Sequence, residues 1–207
     1  MKPNNKMLFI GITGGVGAGK SEILSYIRKH YKCEIYLSDE VAHLVKLPGT
    51  ECFYKLVKLL GQEVLDESGQ IDKKVMADKI FADKSLLKQV NEIVHPAVKE
   101  YLLEHLELAR QSGAVELFFV EAALLIETGY GSLVDEMWYI YADEEVRVKR
   151  LKSARGYTDE KIQRIMASQL SEEQFRQASN FVIDNSGALA ESYRQIDKKL
   201  EAYTWQE

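Results

Sequence analysis

The sequence predicts an α/β fold: a doubly wound five-stranded parallel sheet with a P-loop, a helical insertion on the substrate side and a lid. Three observations predict it. β-Rich runs occur at 7–12, 34–38, 115–120, 137–142 and 181–184. Several are apolar without alternation, as in strands buried on both faces of a sheet. Helical patterns separate the runs, which is the βα order of a doubly wound domain. Residues 14–21, Gly-Gly-Val-Gly-Ala-Gly-Lys-Ser, fit G-x-x-x-x-G-K-[ST] in full and follow the first run directly.

Composition sets the outer limits. The 207 residues, 46% of them apolar, suit a single domain, 1–207, that carries an insertion. A net charge of −5 argues against a general nucleic-acid binder. Cys33 and Cys52 make neither a disulfide framework nor a metal-ligand spacing, so a reduced, cytoplasmic chain is expected. No apolar run is long enough to span a membrane, and the start, MKPNNK, lacks the apolar region of a signal peptide. No obligate protein partner is evident.

The first run, MLFIGI, leads straight into the glycine-rich loop. There Gly14, Gly15, Val16, Gly17, Ala18, Gly19, Lys20 and Ser21 are expected to wrap a phosphate chain with backbone N–H groups. The helix that follows, SEILSYIRKHY, aims its positive end at the same anion, with Glu22 in its first turn. Lys20 reaches the β- and γ-phosphates, and the Ser21 hydroxyl can ligand Mg²⁺. The alternative, a glycine-rich turn without a ligand, is weakened by the strand before and the helix after.

The second run, EIYLS, is followed by Asp39, and the third, VELFFV, by Glu121. Ligands of such sheets sit beyond the carboxyl ends of the strands, so the loop, Asp39 and Glu121 are expected on one rim. Between these runs, from about 40 to 113, lies a stretch of helical pattern read as the inserted subdomain. It is expected to hold one helix over 77–94 and a second whose first turn contains Pro96. The aromatic residues of MWYIYA are expected in the core. A basic helix follows, with Arg147, Lys149, Arg150, Lys152 and Arg155. Gly156 stops it and Thr158 caps the next helix. This pair, about 144–170, is read as a lid, with a solvated charged helix pair as the alternative. The last run, FVID, ends in an Asn185-Ser186-Gly187 turn.

Taken in order, GITGGVGAGKS, SDEVAH, LLGQEVLDESGQIDKKVMADKIFAD, NEIVHPAV, EAALLIE, IMASQ and FVIDNSG resemble the dephospho-CoA kinase family from about residue 7 to residue 200. The P-loop is common to many families; the later motifs are specific together. The resemblance implies a nucleoside-monophosphate-kinase-like core with a helical CoA-side insertion and a lid. It also implies transfer of the γ-phosphate of ATP to the ribose 3′-hydroxyl of dephospho-CoA, with Mg²⁺. Lys20, Asp39, Arg150 and Arg155 are then the candidate catalytic residues. Ser21 and Glu121 face the metal, Asn185 and Gly187 the adenine, and His95, Lys73 and Lys99 the acceptor together with Asp39. For Asp39 the alternative is N-cap of a helix starting at Glu40, for Glu121 a solvated strand end, and for His95 a polar cap before Pro96.

Several positions depart from the family pattern. Leu37 replaces the first acid of an acid-x-acid pair, Ala123 a proline, and Lys73 and Lys99 arginines. Lysine keeps the charge and loses the two-pronged geometry. Arg147 replaces a glutamine, and Ser179-Asn180 an Ala-Asp pair. Two rival readings remain. One is another small nucleotide kinase acting on a nucleoside monophosphate, although no arginine cluster for a monophosphate is evident. The other is a nucleotide-binding switch, although the guanine-reading N-K-x-D is absent from the sequence.

Overall fold

A computed structural model describes residues 7–203, so the MKPNNK segment lies outside the described residues. The strands are β1 (Leu8–Thr13), β2 (Cys33–Leu37), β3 (Leu117–Glu121), β4 (Glu136–Tyr141) and β5 (Phe181–Asp184). They form one sheet in the order β2-β3-β1-β4-β5. β1 pairs in parallel with β3 and β4, and β4 with β5. β3 is apolar and buried up to its last residue, Glu121, as parallel strands covered on both faces must be. Trp138, Phe118 and Phe119 are fully buried. Phe9 meets Phe118 edge-on at 5.5 Å, and Trp138 meets Phe119 at 5.7 Å and Phe181 at 5.2 Å.

The chain divides into two compact units, Met1–Ile35 with Ala109–Glu207, and Tyr36–Leu108. The first holds the helices α1 (Lys20–His30), α6 (Glu144–Arg155), α7 (Asp159–Ala167), α8 (Glu172–Gln177) and α9 (Leu189–Glu201), the last of which follows β5. The chain leaves β1 toward one side of the sheet and leaves β3 toward the other. That reversal between adjacent strands opens a crevice at their carboxyl ends, where ligands of such sheets bind.

The second unit holds α2 (Ser38–Leu44), α3 (Glu51–Leu60), α4 (Lys73–Ala82) and most of α5 (Lys84–Ser112). Here two expectations fail. No helix starts at Pro96: α5 runs through it for 29 residues. Proline removes one backbone hydrogen bond and costs about 3 kcal/mol inside a helix. The buried stripe Val90, Val94, Val98, Leu102 and Leu106 continues at helical spacing on both sides of it and outweighs that cost. The break falls instead at Asp83, inside the predicted 77–94 helix. Asp83 is extended, with φ −139°, and its carboxylate accepts from the Ser85 and Leu86 amides at 2.8 and 3.3 Å. A side chain satisfying the free amides of a new helix start thus separates α4 from α5.

Candidate active site

The glycine-rich loop closes β1 and opens α1. Gly17 and Gly19 take φ values of 79° and 92°, in the left-handed region that glycine enters without strain. Gly19 is the N-cap of α1, and its carbonyl accepts from the Glu22 and Ile23 amides. Ser21 and Glu22 are exposed in the first turn.

The carbonyl groups of Gly14, Gly15, Val16 and Ala18 are engaged. Gly14 O accepts from Lys20 Nζ at 2.7 Å, and Gly15 O from the Ala18 amide at 3.1 Å. Val16 O accepts from Arg147 Nε at 2.9 Å. Ala18 O accepts from Asn185 Nδ2 at 2.7 Å and Arg150 Nη1 at 3.3 Å. With the negative ends of these peptide dipoles taken up by donors, a phosphate meets less carbonyl repulsion at the loop and keeps the attraction of the α1 N-terminus.

Lys20 Nζ also lies 3.5 Å from Glu121 Oε1. Parallel register sets this pair, because Glu121 stands opposite Ile12, just before the loop. Glu121 is therefore not a solvated strand end: its side chain is 18% exposed and faces the loop's cation. The Ser21 hydroxyl and the Glu121 carboxylate are hard oxygen donors, a set suited to Mg²⁺.

Asn185 and Arg150 are held in a small network. Asn185 is 1% exposed, and its Oδ1 accepts from Ser192 Oγ at 2.9 Å. Arg150 Nη2 donates to Asn185 O at 2.8 Å. The Asn185 side chain ties the turn after β5, the turn expected on the adenine side, to the loop. Gly187 is exposed in the same turn.

Arg155 is the exposed last residue of α6, five positions beyond Arg150 and 5.9 Å from the Tyr157 ring centre. Lys161 Nζ lies 3.7 Å from the same centre. A hydrogen bond from Arg155, followed by the Lys161 charge, pulls the Tyr157 phenol below its ordinary value. Gly156 ends α6 in the left-handed region, the Thr158 hydroxyl accepts from the Lys161 amide at 3.3 Å, and Lys152 pairs with Asp159 at 2.6 Å.

In the second unit, Asp39 is exposed and stands second in α2. The helix starts at Ser38 with Leu37 as N-cap and no side-chain cap bond, so Asp39 does not cap it. Lys46 is half-buried; burial lowers its ammonium pKa, the nearby Lys73 lowers it further, and Asp39 opposes the shift. Lys73 is the exposed first residue of α4. His95 is exposed within α5, so it caps nothing, and it lines a shallow groove with Lys84, Leu87, Lys88, Asn91, Glu92 and Pro96. Lys99 is exposed one turn further on.

The sequence assigns no individual role to Gln169, which lies in the IMASQ motif, or to Arg147, which stands in the basic helix and departs from the family pattern. Both touch Val16. The only sequence signals were the motif itself and the density of basic residues in 147–155.

Residues 8–191 match the family model described as dephospho-CoA kinase. A dephospho-CoA kinase of Geobacter sulfurreducens is 34% identical over 192 residues, 93% of this chain and 96% of that one. One from Shouchella clausii is 32% identical, over 90% of this chain and 94% of its own. The solved dephospho-CoA kinase of Campylobacter jejuni, 21% identical, shares the fold with a TM-score of 0.70 over 93% of this chain and 95% of that one. The loop, its lysine and the acid that ends β3 thus stand within a familiar frame: the chain belongs to the dephospho-CoA kinase family.

Proposed function

We propose that this chain transfers the γ-phosphoryl group of ATP to the ribose 3′-hydroxyl of dephospho-CoA, giving CoA and ADP, with the work divided as follows. The observation that carries the donor half is the loop itself. The carbonyls of Gly14, Gly15, Val16 and Ala18 are occupied, and Lys20 is held between Gly14 O and Glu121. Phosphoryl transfer asks mostly for positioning and charge neutralisation. The loop 14–21 wraps the phosphates, and Lys20 neutralises charge that grows on the β- and γ-oxygens. Ser21 and Glu121 are the residues that would hold Mg²⁺, directly or through water; when bound, it adds positive charge to the phosphate oxygens.

Asp39 orients the attacking hydroxyl and accepts its proton. Its exposure, and the absence of a capping task, support that role. His95, Lys73 and Lys99, all exposed in the helical unit, offer donors to the anionic acceptor. Arg150, held on the loop and turn backbone, and Arg155, carried by the 144–170 hairpin as it closes and keeps water from the γ-phosphate, supply cationic charge. Among the described residues no helix is long and apolar enough to cross a membrane. Cys33 and Cys52 are unpaired, which supports a cytoplasmic enzyme.

The test is direct. Purified protein is incubated with ATP-Mg²⁺ and either dephospho-CoA or nucleoside monophosphates, and products are separated by mass. CoA formed only with dephospho-CoA is the expected result. Phosphorylation of a nucleoside monophosphate alone would overturn the acceptor assignment, and no transfer at all would leave a nucleotide switch.

A further inference from the structure

Both polar groups of the Val16 peptide are held from outside the loop. Arg147 Nε donates to Val16 O at 2.9 Å, and the Val16 amide donates to Gln169 Oε1 at 3.0 Å. Arg147 Nη2 closes the triangle by donating to the same Gln169 oxygen at 3.2 Å. That oxygen faces two N–H donors, so the amide orientation of Gln169 follows from its partners.

The packing is equally close. The guanidinium lies against Gly15, where a Cβ would come within 2.5 Å of Arg147 Nη2. A Cβ on Gly17 would come within 3.0 Å of the Arg147 carbonyl. The apex of the loop is thus seated on the first turns of α6 and keyed by a residue just past α7. With Val16 held on both sides, its own amide is spent on Gln169, and a cradle whose remaining amides are fixed before the anion arrives loses less conformational freedom on binding. No contact of Arg147 or Gln169 with a reacting atom is needed for this effect.

We propose that Arg147 and Gln169 are positioning residues for ATP: together they brace Val16 and pre-organise the phosphate loop, and they root the 144–170 hairpin on it. The proposal rests on the donor half of the proposed function and is independent of the acceptor. It makes the two side chains one unit, because removing either leaves its partner with half an anchor.

The test uses the full chain and a non-hydrolysable ATP analogue with Mg²⁺, read by calorimetry, together with amide exchange at Val16 in the ligand-free protein. Arg147→Ala and Gln169→Leu are each expected to weaken analogue binding about fivefold, the size of one hydrogen bond, and to speed Val16 exchange. The double variant is expected to be no weaker than the worse single one, since coupled residues are not additive. Gln169→Glu keeps the acceptor and should restore Val16 protection, a readout that its charge does not confound. In turnover, KM for ATP should rise while kcat and KM for dephospho-CoA hold. Multiplicative losses, unchanged Val16 exchange, or Gln169→Glu exchanging as fast as Gln169→Leu would each overturn the brace. Failure to make CoA would sink the acceptor assignment and leave the binding and exchange arms intact.

Discussion

At Asp39, one step of helix register separates a structural task from a chemical one. Because α2 begins at Ser38, the Asp39 carboxylate has no cap to make and lies exposed. Asp39→Asn should therefore leave the melting temperature almost unchanged. It should lower kcat by about 10²-fold or more, the range of a positioned base, with little change in KM for ATP. A fall in stability with kcat intact would return Asp39 to the scaffold. Lys20 argues the same way from the donor side. Its side chain is 16% exposed, and its ammonium bridges the loop to Glu121. Lys20→Ala should abolish transfer while circular dichroism stays native, because the charge it neutralises grows in the transition state. Turnover within a few-fold of wild type would sink its role.

Among the elements, the α6–α7 hairpin has the clearest division between fixed and free parts. Arg147, Arg150 and Gln169 all bond to loop or turn backbone, so both roots of the hairpin are pinned. The stretch between them contains the left-handed Gly156 and the exposed Arg155. ATP analogue and dephospho-CoA together should therefore protect 151–168 from amide exchange more than either alone. Arg155→Ala should lower kcat more than it weakens ATP binding. Unchanged exchange across 151–168 would make the hairpin rigid scaffold. The elements also differ in how plainly the sequence declares them. Strands such as β3, buried on both faces, must be written as apolar runs, and the P-loop must be contiguous because one turn makes it. Glycine and threonine at 156 and 158 act on their own neighbours and were equally readable. Asp83 and Pro96 were not, because a buried stripe decides whether a helix tolerates proline and local preference points the other way. Nor was the Val16 brace readable: Gln169 reaches the loop from 153 positions away, and no periodicity encodes such a meeting.

In the whole molecule, the rim opposite the loop holds the sheet to its last helix. Glu136, at the start of β4, accepts from Trp138 Nε1 at 2.8 Å and Lys199 Nζ at 3.0 Å, joining α9 to the strand. Burial pushes its carboxyl up, but hydrogen bonds from Tyr203, Trp138 and Lys199, with the Lys199 charge, hold it below the ordinary value. A carboxyl depressed in the folded state stabilises fully above its unfolded value, near pH 4.3, and loses that contribution as pH falls through the folded value. Glu136→Gln should cost about 1–2 kcal/mol at pH 7. Urea melts should show the gap from wild type closing below about pH 4. A gap independent of pH would mean that the carboxylate charge contributes nothing. The division of the chain also sets an order of events during synthesis. β1 leaves the ribosome early, but its neighbours β3 and β4 begin only at Leu117 and Glu136, after the whole of Tyr36–Leu108. At roughly 5–20 residues per second, β1 waits several seconds or more for its first partner. Gln169 and Asn185, which hold the loop's backbone, arrive later still. A nascent chain therefore carries the phosphate-binding motif long before it carries a finished phosphate site, and ATP finds its seat only when the last strand is made.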